Sequence, residues 1–310
     1  MQDAQENRAK EILAIPFKLH HHTIVRVLEM PKPTQGQVIK VQQDTQDRWS
    51  GWFRFTARFR YPHISPLRKI VSTLTEFHIS RRSDWRVLEF GFGHGHLLFW
   101  FRPPTRIFEI ELSEQTISAA ITRATKMGYP EYEFKKPDFE NSARCDFPRG
   151  FFNLVVCSHT LEHMWDDEAL IHEFHRVLKP DGVLLIVVPH DLQHSDVLAE
   201  RDARINPRFP ESSYHVSNYN LETLEYLAKL SGFELKKAER FDAVMSWRDR
   251  WPRSVAQLFS IALSVLPYSL FKVLDAKAVR AGYSGRQALI FCGKKELIHD
   301  RRYATREKRK

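Results

Sequence analysis

The chain has 310 residues, 43% hydrophobic and 27% charged, a globular mixture that excludes fibrous and wholly disordered classes. Its formal net charge is +9, but the last ten residues, RRYATREKRK, hold six Lys/Arg against one Glu, so the body is only mildly basic. Three scattered cysteines, Cys145, Cys157 and Cys292, include no C-x-x-C pair, which excludes a disulfide framework and a cysteine-built zinc site.

The amino terminus carries early acidic groups and no apolar core of signal-peptide length, so a cytoplasmic protein is expected. Residues 1–83 read as a cap or small subdomain. There TIVRVLE and GQVIKVQ flank PKPTQ and are expected to pair as a hairpin. The run RWSGWFRFTARFRY interleaves aromatic and basic residues, as single-stranded nucleic-acid readers do. Alternation at period two explains it more simply, as one buried and one solvated face.

From Trp85 the pattern changes. Short apolar runs at 85–90, 106–112, 132–136, 151–158 and 183–189 read as strands, the fourth apolar enough to be buried on both faces. Between the second and third, Ile117, Ala120, Ile121 and Ala124 recur at helical spacing behind Ser113, a fitting N-cap. Leu170, Phe174, Val177 and Leu178 form one face of a helix that the Lys179-Pro180-Asp181-Gly182 turn should stop. A helix over 220–232 ends at Gly232, FELKKAERF follows, and a last strand spans 286–295.

Strand and helix thus alternate, and the expected fold is α/β, a doubly wound and mostly parallel seven-stranded sheet. The domain should cover 84–295, with an N-terminal cap, an insertion at 242–285 before the last strand, and a basic tail at 296–310. The insertion contains SVAQLFSIALSVLPYSLF, eighteen residues without a charge, yet Pro267 and four serines argue against a membrane span. Val255, Leu258, Phe259, Ala262 and Leu266 recur at helical spacing behind WRDRWPR. This reads as a hydrophobic lid or dimer surface, with peripheral membrane docking through 254–274 as the sharper alternative.

The stretch that carries chemistry is VLEFGFGHGH, 87–96, a strand running into glycines at 91, 93 and 95. Without Cβ atoms the chain can turn sharply at the strand's carboxyl end, where open α/β sheets bind ligands. A dinucleotide loop would want glycine at the sixth position, and here His96 stands there. Glu89 would repel a diphosphate but can bind the ammonium of an amino-acid moiety, which points to S-adenosylmethionine. Glu111, twenty residues after Gly91, can accept both ribose hydroxyl hydrogen bonds. Asp138 can accept the adenine amino group, with Phe139 beside the ring.

On these residues the segment from Trp85 to about Asp191 resembles a class I S-adenosylmethionine-dependent methyltransferase. VLEFGFGHG is similar to the family's first motif, FEIELSEQ to its second, and the stretch from Phe151 to Pro189 to its fourth and fifth strands. Three motifs in order at compatible spacings make a strong signal, whereas the glycine loop alone would be weak. Asn153 departs from the Asp usual there. The resemblance implies S-adenosylmethionine as cofactor, with Glu89, Gly91, Phe92, Gly93, Gly95, Glu111, Leu112, Asp138, Phe139 and Ser158 in its binding site.

HTLEH, 159–163, matches the inverted zinc-peptidase pattern H-x-x-E-H, which needs both histidines on an established helix. The strand immediately before it argues against that geometry, and the methyltransferase family commonly reads L-E-H here. Quinone and small-RNA methyltransferases of the superfamily carry E-x-x-E-H and bind a divalent cation. In this chain the corresponding ligands would be His159, Glu162 and His163, with His190 or His194. We assign no metal from the sequence: Glu162 and His163 are read as holding the loop and shaping the acceptor pocket. His159 and His163 are the candidate catalytic bases.

The expected function is transfer of a methyl group to a small or lipid-linked acceptor, most plausibly at oxygen. The alternatives are an RNA methyltransferase reading RNA through Arg54, Arg58 and Arg60, a non-catalytic S-adenosylmethionine-binding protein, and an NAD-dependent oxidoreductase.

Overall fold

The computed structural model describes residues 61–91, 97, 100–111, 114–129, 132–135, 144–164, 166–190 and 215–295. The expected hairpin, the aromatic and basic run up to Arg60, and the tail lie outside these residues. Helix α1 (Tyr61–Glu76) comes first. Then come β1 (Arg86–Phe90), β2 (Arg106–Ile110), α2 (Glu114–Lys126), β3 (Tyr132–Lys135) and β4 (Phe152–Ser158). They are followed by α3 (Asp167–Val177), β5 (Leu178–Pro189), α4 (Leu221–Leu230) and β6 (Phe233–Phe241). Helices α5 (Ala243–Arg248), α6 (Arg253–Val265) and α7 (Tyr268–Arg280) precede β7 (Gln287–Lys294).

The strands form one sheet in the order β3-β2-β1-β4-β5-β7-β6. Strands β1 to β5 pair in parallel, and β7 runs antiparallel between β5 and β6. The chain leaves β1 toward β2 and β3 and returns to β4 on the other side. That reversal opens a crevice at the carboxyl ends of β1 and β4, where doubly wound sheets hold their ligands.

Period-two alternation splits the core into two layers. Leu88, Phe90, Val155, Cys157, Leu184 and Ile186 face α3 and α4, against Leu170, Phe174, Leu224 and Leu227. Val87, Ile107, Leu154, Val156, Leu185 and Phe291 face the other way, against Ile70 and Leu74 of α1 and Ala120 and Ala124 of α2. A fully buried side chain such as Phe174 contributes about 1.5–3 kcal/mol. Helix α1 thus belongs to the core of the sheet domain, which the sequence reading did not anticipate.

Local signals explain several ends. Asn220 caps α4 by accepting from Thr223 N at 2.8 Å, a bond of about 1 kcal/mol. Asn153 accepts from Arg86 N and from Lys179 Nζ, both at 3.1 Å, so the amide ties the starts of β1 and β4 together without the usual carboxylate. The expected turn at 179–182 corrects to an excursion inside a strand. Phe152 pairs with Leu178 and Leu154 with Val183, so β5 starts at Leu178 and the four residues between loop out of the ladder.

The insertion is three helices with a core of their own, in which Val244, Met245, Leu263 and Phe271 are buried. Pro267 separates α6 from α7, and no helix among the described residues is long and apolar enough to cross a membrane. The apolar stripe divides. Phe259 and Leu266 turn partly inward, whereas Val255 and Leu258 are 47% and 69% exposed.

Candidate active site

The turn after β1 is built around Gly91. Its φ is +69°, a left-handed conformation that side chains strain to adopt, and its N–H donates to Ile110 O at 2.8 Å. Space forbids a side chain as well: a Cβ there would lie 2.1 Å from Thr160 Oγ1. That hydroxyl donates to Gly91 O at 3.1 Å and to Ser158 O at 3.2 Å, joining the ends of β1 and β4. Glu111 is buried just past the end of β2, and half-buried Ser158 closes β4. The predicted positions Gly91, Glu111 and Ser158 therefore meet at the carboxyl edge of adjacent strands. Phe92, Gly93, Gly95, Leu112, Asp138, Phe139 and His194 lie outside the described residues.

Glu89 sits one layer beneath. It is buried at 3% exposure, and its Oε2 accepts from Leu97 N at 3.3 Å across the glycine stretch. Glu109 stands opposite it in the β1–β2 register. Burial raises the Glu89 carboxyl well above the ordinary range, and the neighbouring Glu109 adds to the rise. Sequence reading saw Glu89 as a ligand for an ammonium group, and it missed this buried acidic pair.

The HTLEH corner resolves into a short 3-10 turn, Leu161–His163, directly after β4. His159 takes a left-handed φ of +53°. Its Nδ1 lies 3.4 Å from Glu162 Oε1 and its Nε2 3.2 Å from Gln287 Oε1. Gln287 Nε2 donates in turn to Asp242 Oδ2 at 3.0 Å, so a polar chain runs from the corner to the start of the insertion. Burial works against the His159 charge, but Glu162 and then Gln287 more than offset it and raise its pKa. Burial likewise opposes ionisation of Glu162, yet His159 and the histidines around it draw its pKa down to about 2.

A segment remote in sequence completes the corner. Val216 N and Ser217 N both donate to Glu162 O, at 2.7 and 3.0 Å, which brings His215 against His163 with ring centroids 4.9 Å apart. Tyr219 anchors that segment from below, donating to buried Asp167 Oδ2 at 2.7 Å. His190 is buried at the end of β5 and bridges to Tyr219. His215, Tyr219, Gln287 and Asp242 were all missed, because none stands in a periodic or motif-like pattern. Among the described residues a groove of about 760 Å³ between α1 and α7, lined by Leu67, Val71, Trp100 and Tyr268, shares no residue with this corner.

The edge of the sheet is suited to a nucleoside: a turn that begins at Gly91, where no side chain fits, an acid past the end of β2, and a polar corner over the crevice. Comparisons agree. Residues 53–238, more than half of the chain, match the family model described as a methyltransferase domain. A Mycolicibacterium smegmatis protein named as an S-adenosylmethionine-dependent methyltransferase is 28% identical over 151 residues, 48% of this chain and 52% of that one. The chain thus spans about half the length of that relative. The Bacillus subtilis methyltransferase YcgJ is 28% identical over 221 residues, 70% of this chain and 84% of its own. Among solved structures, an S-adenosylmethionine-dependent methyltransferase from Thermotoga maritima superposes with a TM-score of 0.51 at 15% identity, over 84% of this chain and all of that one, a likeness of fold alone.

Proposed function

The chain belongs to the class I S-adenosylmethionine-dependent methyltransferase family, and from that premise we propose that it methylates a hydroxyl oxygen of a small or lipid-linked acceptor. It is an enzyme whose cofactor is S-adenosylmethionine, and the sulfonium of that donor supplies an already activated methyl group. The protein's own contribution is then alignment and exclusion of water.

In this reading Gly91, with Phe92, Gly93 and Gly95, lets the donor approach the backbone. Glu111 accepts from its ribose, Leu112 and Ser158 line its edge, and Asp138 and Phe139 take the adenine. Glu89 supports the donor's amino-acid end by holding the turn through Leu97. His163 and His159 border the acceptor. Since His159 is held toward its charged form by Glu162, it serves better as a donor to an acceptor oxygen than as a base. His163 is left as the candidate base.

The observation that carries the acceptor class is the exposed apolar surface of the insertion. Val255, Leu258 and Ile261 on α6 and Leu270 and Val273 on α7 are each about half exposed or more. The polar chain through Asp242 and Gln287 links that insertion to His159. A lid that greets an apolar or membrane-borne acceptor fits this arrangement, and it supports reading the enzyme as peripheral at a membrane.

Methyl-labelled S-adenosylmethionine and a fractionated lysate test the reading. Label should enter an extractable lipid or small-molecule pool as an alkali-stable methyl ether. Label confined to RNA would overturn it.

A further inference from the structure

We infer that Glu162, His163 and His215 form a binding site for one divalent first-row transition-metal ion. One ligand atom from each of the three lies within 4.8 Å of the other two, close enough for a single ion to reach all of them. Two imidazoles and one carboxylate are a borderline-soft set that suits zinc, cobalt, manganese or iron better than magnesium or calcium. Three protein ligands also leave coordination positions open.

A second observation points to a ligand independently of this spacing. Glu162 is 1% exposed, and among the described residues neither of its carboxylate oxygens accepts a hydrogen bond of good geometry. His159 Nδ1, 3.4 Å away, offsets part of its charge but makes no hydrogen bond of good geometry to either oxygen. Burying polar oxygens without such partners is costly, and a divalent ion held also by His163 and His215 would give them one.

The main chain is arranged to hold this cluster. The carbonyl of Glu162 accepts from both Val216 N and Ser217 N, so the residue that brings the carboxylate also fixes the segment that brings His215. Tyr219 donates to Leu161 O at 3.3 Å and pins the other side of the turn. His190, which a sequence argument would have enlisted, stands outside the cluster. Binding of the ion stands on this geometry alone. Its use, to hold and activate an acceptor oxygen in the open positions in place of His163 acting as a base, rests on the methyl-transfer reading.

Cobalt(II) is the probe, because its visible d–d absorption reports ligand type directly. The full chain is stripped with a chelator, dialysed and titrated with Co2+, then back-titrated with Zn2+. One equivalent should saturate the signal, and Zn2+ should displace it. His215→Ala and His163→Ala should each weaken Co2+ binding at least about 10-fold, the loss that removal of even an outer partner brings. His172→Ala, on the exposed side of α3, should leave it unchanged. Calorimetric titration of the metal-free His215→Ala protein with S-adenosylmethionine shows whether that variant is folded, and failure of the wild type in that titration would count against the methyl-transfer reading instead. Absence of a Co2+ spectrum in the wild type, or equal affinity in folded His215→Ala, overturns the site.

Discussion

At Gly91 two constraints act on one residue. The left-handed φ costs a side chain about 1–2 kcal/mol, and Thr160 fills the space a Cβ would need. Gly91→Ala is therefore expected to weaken S-adenosylmethionine at least about 10-fold by calorimetry. Adding Thr160→Ala removes the two nearest atoms but leaves the Thr160 Cβ at 2.7 Å and the φ unchanged, so it should restore only part of the affinity. Full recovery would mean that neither the φ nor that remaining contact matters. A different argument holds for Glu89 and Glu109, side by side in adjacent strands. The folded Glu89 carboxyl is raised above its usual 4.5, by burial first and then by Glu109, so folding takes up a proton there. The stability this brings is complete below pH 4.5 and is lost as pH rises through the raised value. Glu109→Gln removes the neighbouring charge. It should raise the melting temperature at neutral and alkaline pH by about 2–4 °C per kcal/mol recovered, and by less in acid. A uniform shift at every pH would sink this account.

Among the elements, α5 depends on a partner from far along the chain. Asp242, at its start, has a φ of +73° and gives no side-chain cap. Asp275 on α7 does that work, accepting from Asp242 N at 3.3 Å and Val244 N at 2.9 Å. Asp275→Ala should cost about 1–2 kcal/mol and expose the insertion to limited proteolysis, while S-adenosylmethionine still binds. Cleavage no faster than wild type would show that the apolar packing of Phe271 and Leu263 suffices. This contrast also explains what the sequence discloses. Strands β1, β2 and β4 and helices α3 and α4 are legible because their apolar residues follow one period each, and α4 also because Asn220 and Gly232 flank it. The glycine turn is legible because backbone approach demands glycine. The excursion at 179–182, the role of α1 and the approach of His215 to Glu162 are not, since each depends on long-range pairing that leaves no local pattern. The insertion shows its helical spacing but not its inside: Val255 and Leu258, which share a stripe with Phe259, face solvent.

For the molecule as a whole, the question is what meets that exposed stripe. On α7 the exposed positions Leu270, Val273, Lys277 and Arg280 follow one another at spacings of three or four, so an apolar strip leads into a basic end. On α6, Val255, Leu258 and Ile261 add an apolar line, and exposed Arg250 lies just before it. Apolar side chains beside cations are the pairing that anionic lipid surfaces attract. Burying one such side chain is worth about 1.5–3 kcal/mol, so a Leu258→Glu, Ile261→Glu double variant should lose more than about 10-fold in partition to phosphatidylglycerol vesicles. Sedimentation with vesicles of that lipid, and with neutral ones as a control, measures it. The double variant should keep its affinity for S-adenosylmethionine, because both positions project away from the insertion's own core of Leu263 and Phe271. Retained sedimentation in the double variant, or none in the wild type, would take lipid docking away from the stripe and leave the acceptor to be sought among soluble molecules, whereas equal binding of wild type to neutral vesicles would remove only the part given to the cations.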